Sequence, residues 1–180
     1  MEKAKLYFII GSSGVGKTTI IPILKSLLSD FDIHDFDEKL TKEVANDGSL
    51  VDGWRKETTK YWIDIATENA KLGKSTIIIG LVYPKEVGEL NPNIETSFYL
   101  LDASDERIRE RLMGKRFSTP EKIEGLRQAT GQTPEEFITQ NKILMDSLRQ
   151  EINSIGGTII NTTNDLPEDV AKKLISLVIE

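Results

Sequence analysis

An α/β three-layer sandwich built on a mostly parallel sheet is the fold class this sequence predicts. Three observations carry it. Apolar runs rich in β-branched residues recur without alternation, as strands covered on both faces require. Helical periodicity fills the intervals between them. No internal repeat, low-complexity tract or linker breaks that alternation over 180 residues, so a single domain spanning 1–180 is expected.

The first strand is Lys5 to Ile10. A helix from Lys17 to Leu28 follows, with Ile20, Ile21, Leu24, Leu27 and Leu28 at helical spacing. Pro22 lies in its opening turns, where a missing amide donor costs least. Phe31 to Ile33 forms a short strand. The next helix runs from about Gly53 to Leu72, with Trp54, Tyr61, Trp62, Ile65 and Ala66 on one face. Thr76 to Ile79 and Ser97 to Leu101 are further strands. Ser104-Asp105-Glu106 opens a short basic helix in the N-cap manner. Pro134-Glu135-Glu136 opens a helix holding Phe137, Ile138, Ile143, Leu144 and Leu148. Thr158 to Asn161 completes about five strands, and Pro167-Glu168-Asp169 starts the last helix, with Val170, Leu174 and Leu177. The stretch 114–131 stands apart. It combines Gly114, Gly125 and Gly131 with Lys115, Arg116, Lys122 and Arg127, and its few apolar anchors suit a mobile segment.

Composition removes several function classes. With 38% hydrophobic and 29% charged residues, the chain has enough apolar surface to build a core. Cysteine is absent, which excludes disulfide frameworks, zinc–thiolate sites and thiol nucleophiles. The net charge of −6, with a pI near 5.0, argues against a general nucleic-acid or anionic-membrane partner. The apolar runs fall short of a bilayer span and no secretory leader is evident, so a cytoplasmic protein is expected.

Directly after the first strand stands Gly11-Ser12-Ser13-Gly14-Val15-Gly16-Lys17-Thr18-Thr19. This is the G-x-x-x-x-G-K-[ST] pattern, with the strand before it and helix after it that the pattern demands. A triphosphate packs against bare backbone amides, which explains the glycines. The helix N-terminus adds partial positive charge beneath the phosphates. Lys17 reaches β and γ oxygens, and the Thr18 hydroxyl is placed to ligate Mg²⁺. Nucleoside triphosphate binding is the expectation.

The rest of the chain selects among such proteins. A guanine-reading N-K-x-D is missing, since Asn141-Lys142-Ile143-Leu144 lacks the aspartate. Asp35-Phe36-Asp37, preceded by His34, follows the second strand. In an extended segment residues i and i+2 share a side, so both carboxylates face the phosphate loop. One of them holds Mg²⁺ through water while the other orients or deprotonates an acceptor hydroxyl. Asp102, at the end of Phe98-Tyr99-Leu100-Leu101, is the rival metal carboxylate. Asp35 is preferred, and Asp102 is expected to cap the basic helix behind it. On that helix Arg107 and Arg111 share a face, and Arg116 lies past a glycine where a loop could carry it over the γ-phosphate. Arg111 and Arg116 are read as nucleotide contacts. Arg107 and Arg109 are read as exposed residues partnered by Glu106 and Glu110. Trp54, Tyr61 and Trp62 are either a stacking surface or, preferably, a core stripe. His34, the single histidine, is a further candidate acceptor contact.

With these motifs placed in order, the chain resembles the small P-loop kinases, which include shikimate, gluconate and adenylate kinases. The resemblance covers essentially the whole chain. Thr162-Thr163-Asn164-Asp165-Leu166-Pro167-Glu168-Asp169 looks like the turn that lies against the adenine in such kinases. The likeness implies the P-loop NTPase fold, an α/β/α sandwich with a five-stranded parallel sheet in order 2-3-1-4-5. It also implies a lid around 114–131 bearing Arg116, with Arg111 and Thr163 on the base side. Likeness to shikimate kinase implies that Asp37 contacts the acceptor and Asp35 the metal. Two features depart from the pattern. Gly80 stands where shikimate kinases have a glycine cluster, followed by Leu81, Val82 and Tyr83, and no arginine-rich clamp for a nucleoside monophosphate accompanies Arg55 and Lys56.

The expectation is therefore an ATP- and Mg²⁺-dependent kinase acting on a small-molecule or nucleotide acceptor. Its alternative is a regulatory NTP-binding switch or slow ATPase acting through a protein partner. A kinase for nucleic-acid ends is a third reading that the acidic balance disfavours. The sequence carries no signature of oligomeric state.

Overall fold

The computed structural model describes residues 4–39, 53–90 and 94–179. The strands are β1 (Leu6–Ile10), β2 (Asp32–Asp35), β3 (Thr76–Gly80), β4 (Thr96–Asp102) and β5 (Thr158–Asn161). The helices are α1 (Lys17–Leu27), α2 (Trp54–Lys71), α3 (Pro84–Leu90), α4 (Asp105–Arg111), α5 (Pro120–Thr130), α6 (Pro134–Ser154) and α7 (Pro167–Ile179). A 3₁₀ turn, Phe36–Lys39, follows β2, and a π-helical turn, Leu112–Arg116, continues α4.

The sheet is all parallel in the order β2-β3-β1-β4-β5. Every residue of β1 and β3 is buried, so helices cover both faces of the centre. α1 packs on α7, α2 on α3 and β3, and α6 on β4 and β5. Sequence and structure part at the edges. The second strand begins at Asp32 and runs to Asp35, because its register with Thr76 to Ile79 of β3 recruits polar residues that an apolar run does not mark. In the other edge strand, β5, only Ile160 is buried.

The stretch 114–131 holds more structure than its composition suggests. Thr119 caps α5 by accepting the Lys122 amide, Pro120 occupies its first turn, and Gly131 ends it in the left-handed region. Phe117 and Leu126 are buried, anchoring the segment with widely spaced residues. α6 opens with a full capping box between Thr133 and Glu136.

The register brings the strand ends together. Ile10 pairs with Gly80 and Leu100, Asp35 with Ile79, and Asp102 with Asn161. The order reverses around β1, and crevices at the carboxyl edge of such sheets are where ligands bind.

Candidate functional site

At that edge opens a cavity of about 1160 Å³. All of Gly11 to Thr19 line it, together with Asp35, Asp37, Arg111 and Arg116. Residues far apart in sequence thus share one space.

The phosphate loop turns into α1 through Gly16, whose φ of 106° belongs to the left-handed region. Gly16 is also the N-cap and supplies no capping side chain. The first amides of α1 therefore meet no side-chain acceptor of their own, which is the arrangement an anion needs. The ammonium of Lys17 folds back across the loop, donating to the Gly11 carbonyl at 2.8 Å and the Ser12 carbonyl at 2.7 Å. Burial lowers its pKa to about 8; Asp35 and Asp37 oppose that fall and Arg116 adds to it. Thr18 and Thr19 are exposed along the cavity.

Asp35 and Asp37 reach the cavity by a different route from the extended one expected. Asp35 ends β2, whereas Asp37 sits in the 3₁₀ turn, where its amide donates to Asp35 Oδ1 at 3.0 Å. The turn is held by Phe36, fully buried against Gly80 at the end of β3. A Cβ on Gly80 would lie 2.2 Å from the Phe36 Cβ, which is why a glycine stands there. Burial, and then the Asp35 charge, push the Asp37 carboxyl up; Arg55 and Lys17 pull the other way.

Beyond Asp37 the cavity is walled by Trp54, Arg55, Leu81 and Tyr83. The Arg55 guanidinium lies 4.7 Å from the Trp54 ring centroid and 5.6 Å from that of Tyr83, and its Nη1 donates to the Leu81 carbonyl at 2.7 Å. Of the three aromatics on α2, only Trp54 lines the cavity. Trp62 is buried and donates its Nε1 proton to the Phe36 carbonyl, with Tyr61 edge-on against it. His34 is not part of the cavity wall either. It stacks on Trp62 and bonds Asp32 at 2.9 Å and Glu38 at 3.1 Å.

Arg111 ties two sides of the site together, donating to the Gly14 carbonyl (3.3 Å), the Thr162 hydroxyl (3.2 Å) and the Thr162 carbonyl (2.6 Å). Burial, with the nearby Arg107 charge, lowers its pKa. Arg116 leaves the π-helical turn to lie over the Phe137 ring at 4.7 Å, with Nη1 3.5 Å from Ser13 Oγ. Arg107 also lines the cavity and pairs with Glu110. Arg109 pairs with Glu135 of α6 rather than with Glu106, because α6 lies alongside α4. Thr163 is outside the cavity wall. Its hydroxyl accepts the Ser104 amide, and Asp165, Leu166 and Pro167 of the same turn face the cavity instead.

Asp102 does not cap α4. That role belongs to Ser104, which accepts the Arg107 amide at 3.2 Å. Asp102 is bound by Arg149 of α6 and is absent from the cavity wall. No cluster of three or more metal-type side chains occurs among the described residues. The Thr18 hydroxyl and Asp35 carboxylate are hard oxygen donors in the same cavity, a set that fits Mg²⁺ held jointly with substrate phosphates.

Sequence reasoning missed the contribution of α6. Asn141 and Met145 bond the phosphate loop, and no local signal announces a contact spanning 128 residues or more.

No protein-family model matches the chain, and no curated protein matches it either. Solved structures do. A sugar kinase from Janibacter sp. is similar with a TM-score of 0.65 at 19% identity, covering 98% of this chain and 95% of that one. Shikimate kinase from Acinetobacter baumannii, in complex with shikimate, gives 0.63 at 17% identity over 99% and 94% of the chains. APS kinase from Mycobacterium tuberculosis, in complex with AMPPNP and APS, gives 0.62 at 14% identity over the whole of both. Together with the strand order and the phosphate loop ahead of α1, these likenesses establish that the chain has the fold of the small P-loop kinases.

Proposed function

We propose that this protein is a phosphotransferase that moves the γ-phosphoryl group of ATP to a hydroxyl of a small acceptor. The observation that carries the reading is one cavity shared by the phosphate loop, Lys17 and a carboxyl, Asp37, whose proton affinity is raised. A switch or slow ATPase has no need of the wall of Trp54, Arg55 and Tyr83 beyond that carboxyl, which leaves room for an acceptor larger than water.

The amides of the loop and α1 bind the phosphates, and Lys17 neutralises β and γ oxygens. Mg²⁺ held by Thr18 and Asp35 would supply further charge neutralisation to the triphosphate. Asp37 accepts the proton of the acceptor hydroxyl as that oxygen bonds to the γ-phosphorus. The bond from that phosphorus to the β–γ bridging oxygen breaks, and ADP leaves with its electrons. Arg116 faces the charge that develops on the transferred group. Movement of the 114–131 segment over the cavity would exclude water, favouring transfer over hydrolysis.

Arg55 is the one cation among the described residues of the wall formed with Trp54, Leu81 and Tyr83. A single guanidinium between two rings suits an acceptor with one anionic or strongly polar substituent better than a nucleoside monophosphate. Among the described residues no helix is long and apolar enough to cross a membrane.

A thermal-shift screen of hydroxy acids, sugars, nucleosides and nucleotides, run with AMPPNP and magnesium, tests the reading. An acceptor stabilises the protein with AMPPNP present and is phosphorylated when ATP replaces the analogue. ATP consumption that no metabolite accelerates, paired with altered affinity for a protein, favours the switch.

A further inference from the structure

Asn141 belongs to α6, yet its side chain ends in the phosphate loop. Its Oδ1 accepts the Ser13 amide at 3.0 Å. Its Nδ2 donates to the Ser13 carbonyl at 3.0 Å and to Ser12 Oγ at 3.2 Å. One turn further along, Met145 Sδ accepts the Ser12 amide at 3.4 Å. Asn141 is only 6% exposed and its bonds are buried or part-buried, so removing its side chain leaves loop groups short of a partner.

The contacts divide the loop in two. The amides of Ser12 and Ser13 turn toward α6, while those from Gly14 to Thr18 do not bond to it. Two cations of the site reach the held half. Lys17 donates to the Ser12 carbonyl, and Arg116 approaches the Ser13 hydroxyl. Lys17 of a phosphate loop addresses the β and γ oxygens, so this half borders the terminal phosphate. The same helix presents Phe137 beneath Arg116. One rigid element thus sets both the loop and the arginine that faces it.

We propose that Asn141 is a positioning residue for the terminal phosphate: by fixing the Ser12–Ser13 peptide from α6, it places Lys17 and Arg116 against the γ-phosphoryl group. The inference rests on the nucleoside triphosphate reading of the cavity. It predicts a larger effect on ATP than on ADP, because Lys17 meets the β-phosphate of both nucleotides while Arg116 and the held half of the loop face the γ-phosphate that ATP alone carries.

The test is calorimetric titration of the full chain with AMPPNP and with ADP, magnesium present, alongside thermal unfolding. Asn141→Ala is expected to weaken AMPPNP by about tenfold and ADP by no more than about twofold. Asn141→Asp keeps an acceptor for the Ser13 amide but places a negative charge beside the phosphates. It is expected to bind AMPPNP more weakly than Asn141→Ala does, again with ADP less affected. Equal losses for both nucleotides, no loss in either variant, or failure of both variants to fold overturns the proposal and leaves Asn141 a packing residue. Wild-type protein that binds neither nucleotide overturns the triphosphate reading, and this inference with it; binding by the wild type with unselective variants overturns this inference alone.

Discussion

Arg149 holds both carboxylate oxygens of Asp102, its Nε 2.9 Å from Oδ2 and its Nη2 2.7 Å from Oδ1. The pair joins the end of β4 to α6, and Asp146 adds a third carboxylate contact to the guanidinium at 2.6 Å. These carboxylates hold the Arg149 pKa above its ordinary value. An aspartate at the end of a hydrophobic strand reads from sequence as a metal-side acid; here it is a structural ion pair.

Asp102→Asn should therefore lower stability by about 1–3 kcal/mol, the cost of weakening a charged, mostly buried bond. It should leave the magnesium dependence of nucleotide binding intact. Asp35→Asn should do the opposite, with little change in unfolding and a weakened metal response. Magnesium titrations of AMPPNP binding separate the two, and the reverse pattern would move the metal to Asp102.

The Lys17 ammonium, with a pKa of about 8, sets a pH dependence for binding. Below that value the free protein already carries the charge that phosphates require. Above it Lys17 is neutral and must take up a proton on binding, so affinity falls by up to about tenfold per pH unit. Calorimetry of AMPPNP in buffers of differing ionisation heat should register that uptake. Lys17→Ala should bind the nucleotide too weakly to titrate while unfolding much as the wild type does.

Gly80→Ala places a methyl group 2.2 Å from the Phe36 Cβ, with no flexible chain end to give way. Overpacking of this kind costs about 1–3 kcal/mol, or about 2–4 °C of Tm per kcal/mol in a domain of this size. Because Phe36 lies between Asp35 and Asp37, phosphoryl transfer should fall beyond what the fraction unfolded explains. Unchanged turnover in a folded variant would detach the carboxylates from the chemistry.

Arg116→Ala should reduce kcat by roughly 10²–10³-fold, the usual cost of losing one preorganised charge partner of a transition state. The KM for ATP should change less. Arg116→Lys should restore little, since a point charge reproduces neither the planar fork nor the stacking on Phe137. A parallel rise in KM without loss of kcat would make Arg116 a ground-state binding residue.

What the sequence determined by itself is local. Unbroken apolar runs mark β1 and β3 because both faces of a central parallel strand are covered, and the glycine–lysine–threonine string marks the loop because phosphate binding needs bare amides in consecutive order. The cap at Ser104 acts within four residues and is legible for the same reason. The tertiary structure alone decided which side chains meet. Whether Asp102 faces metal or Arg149, whether His34 faces the cavity or Trp62, and what Asn141 holds all depend on elements brought together across the sheet. Such contacts are set by the packing of α6 and α2 on their strands, and an aspartate, a histidine or an asparagine looks the same in sequence whichever neighbour that packing supplies.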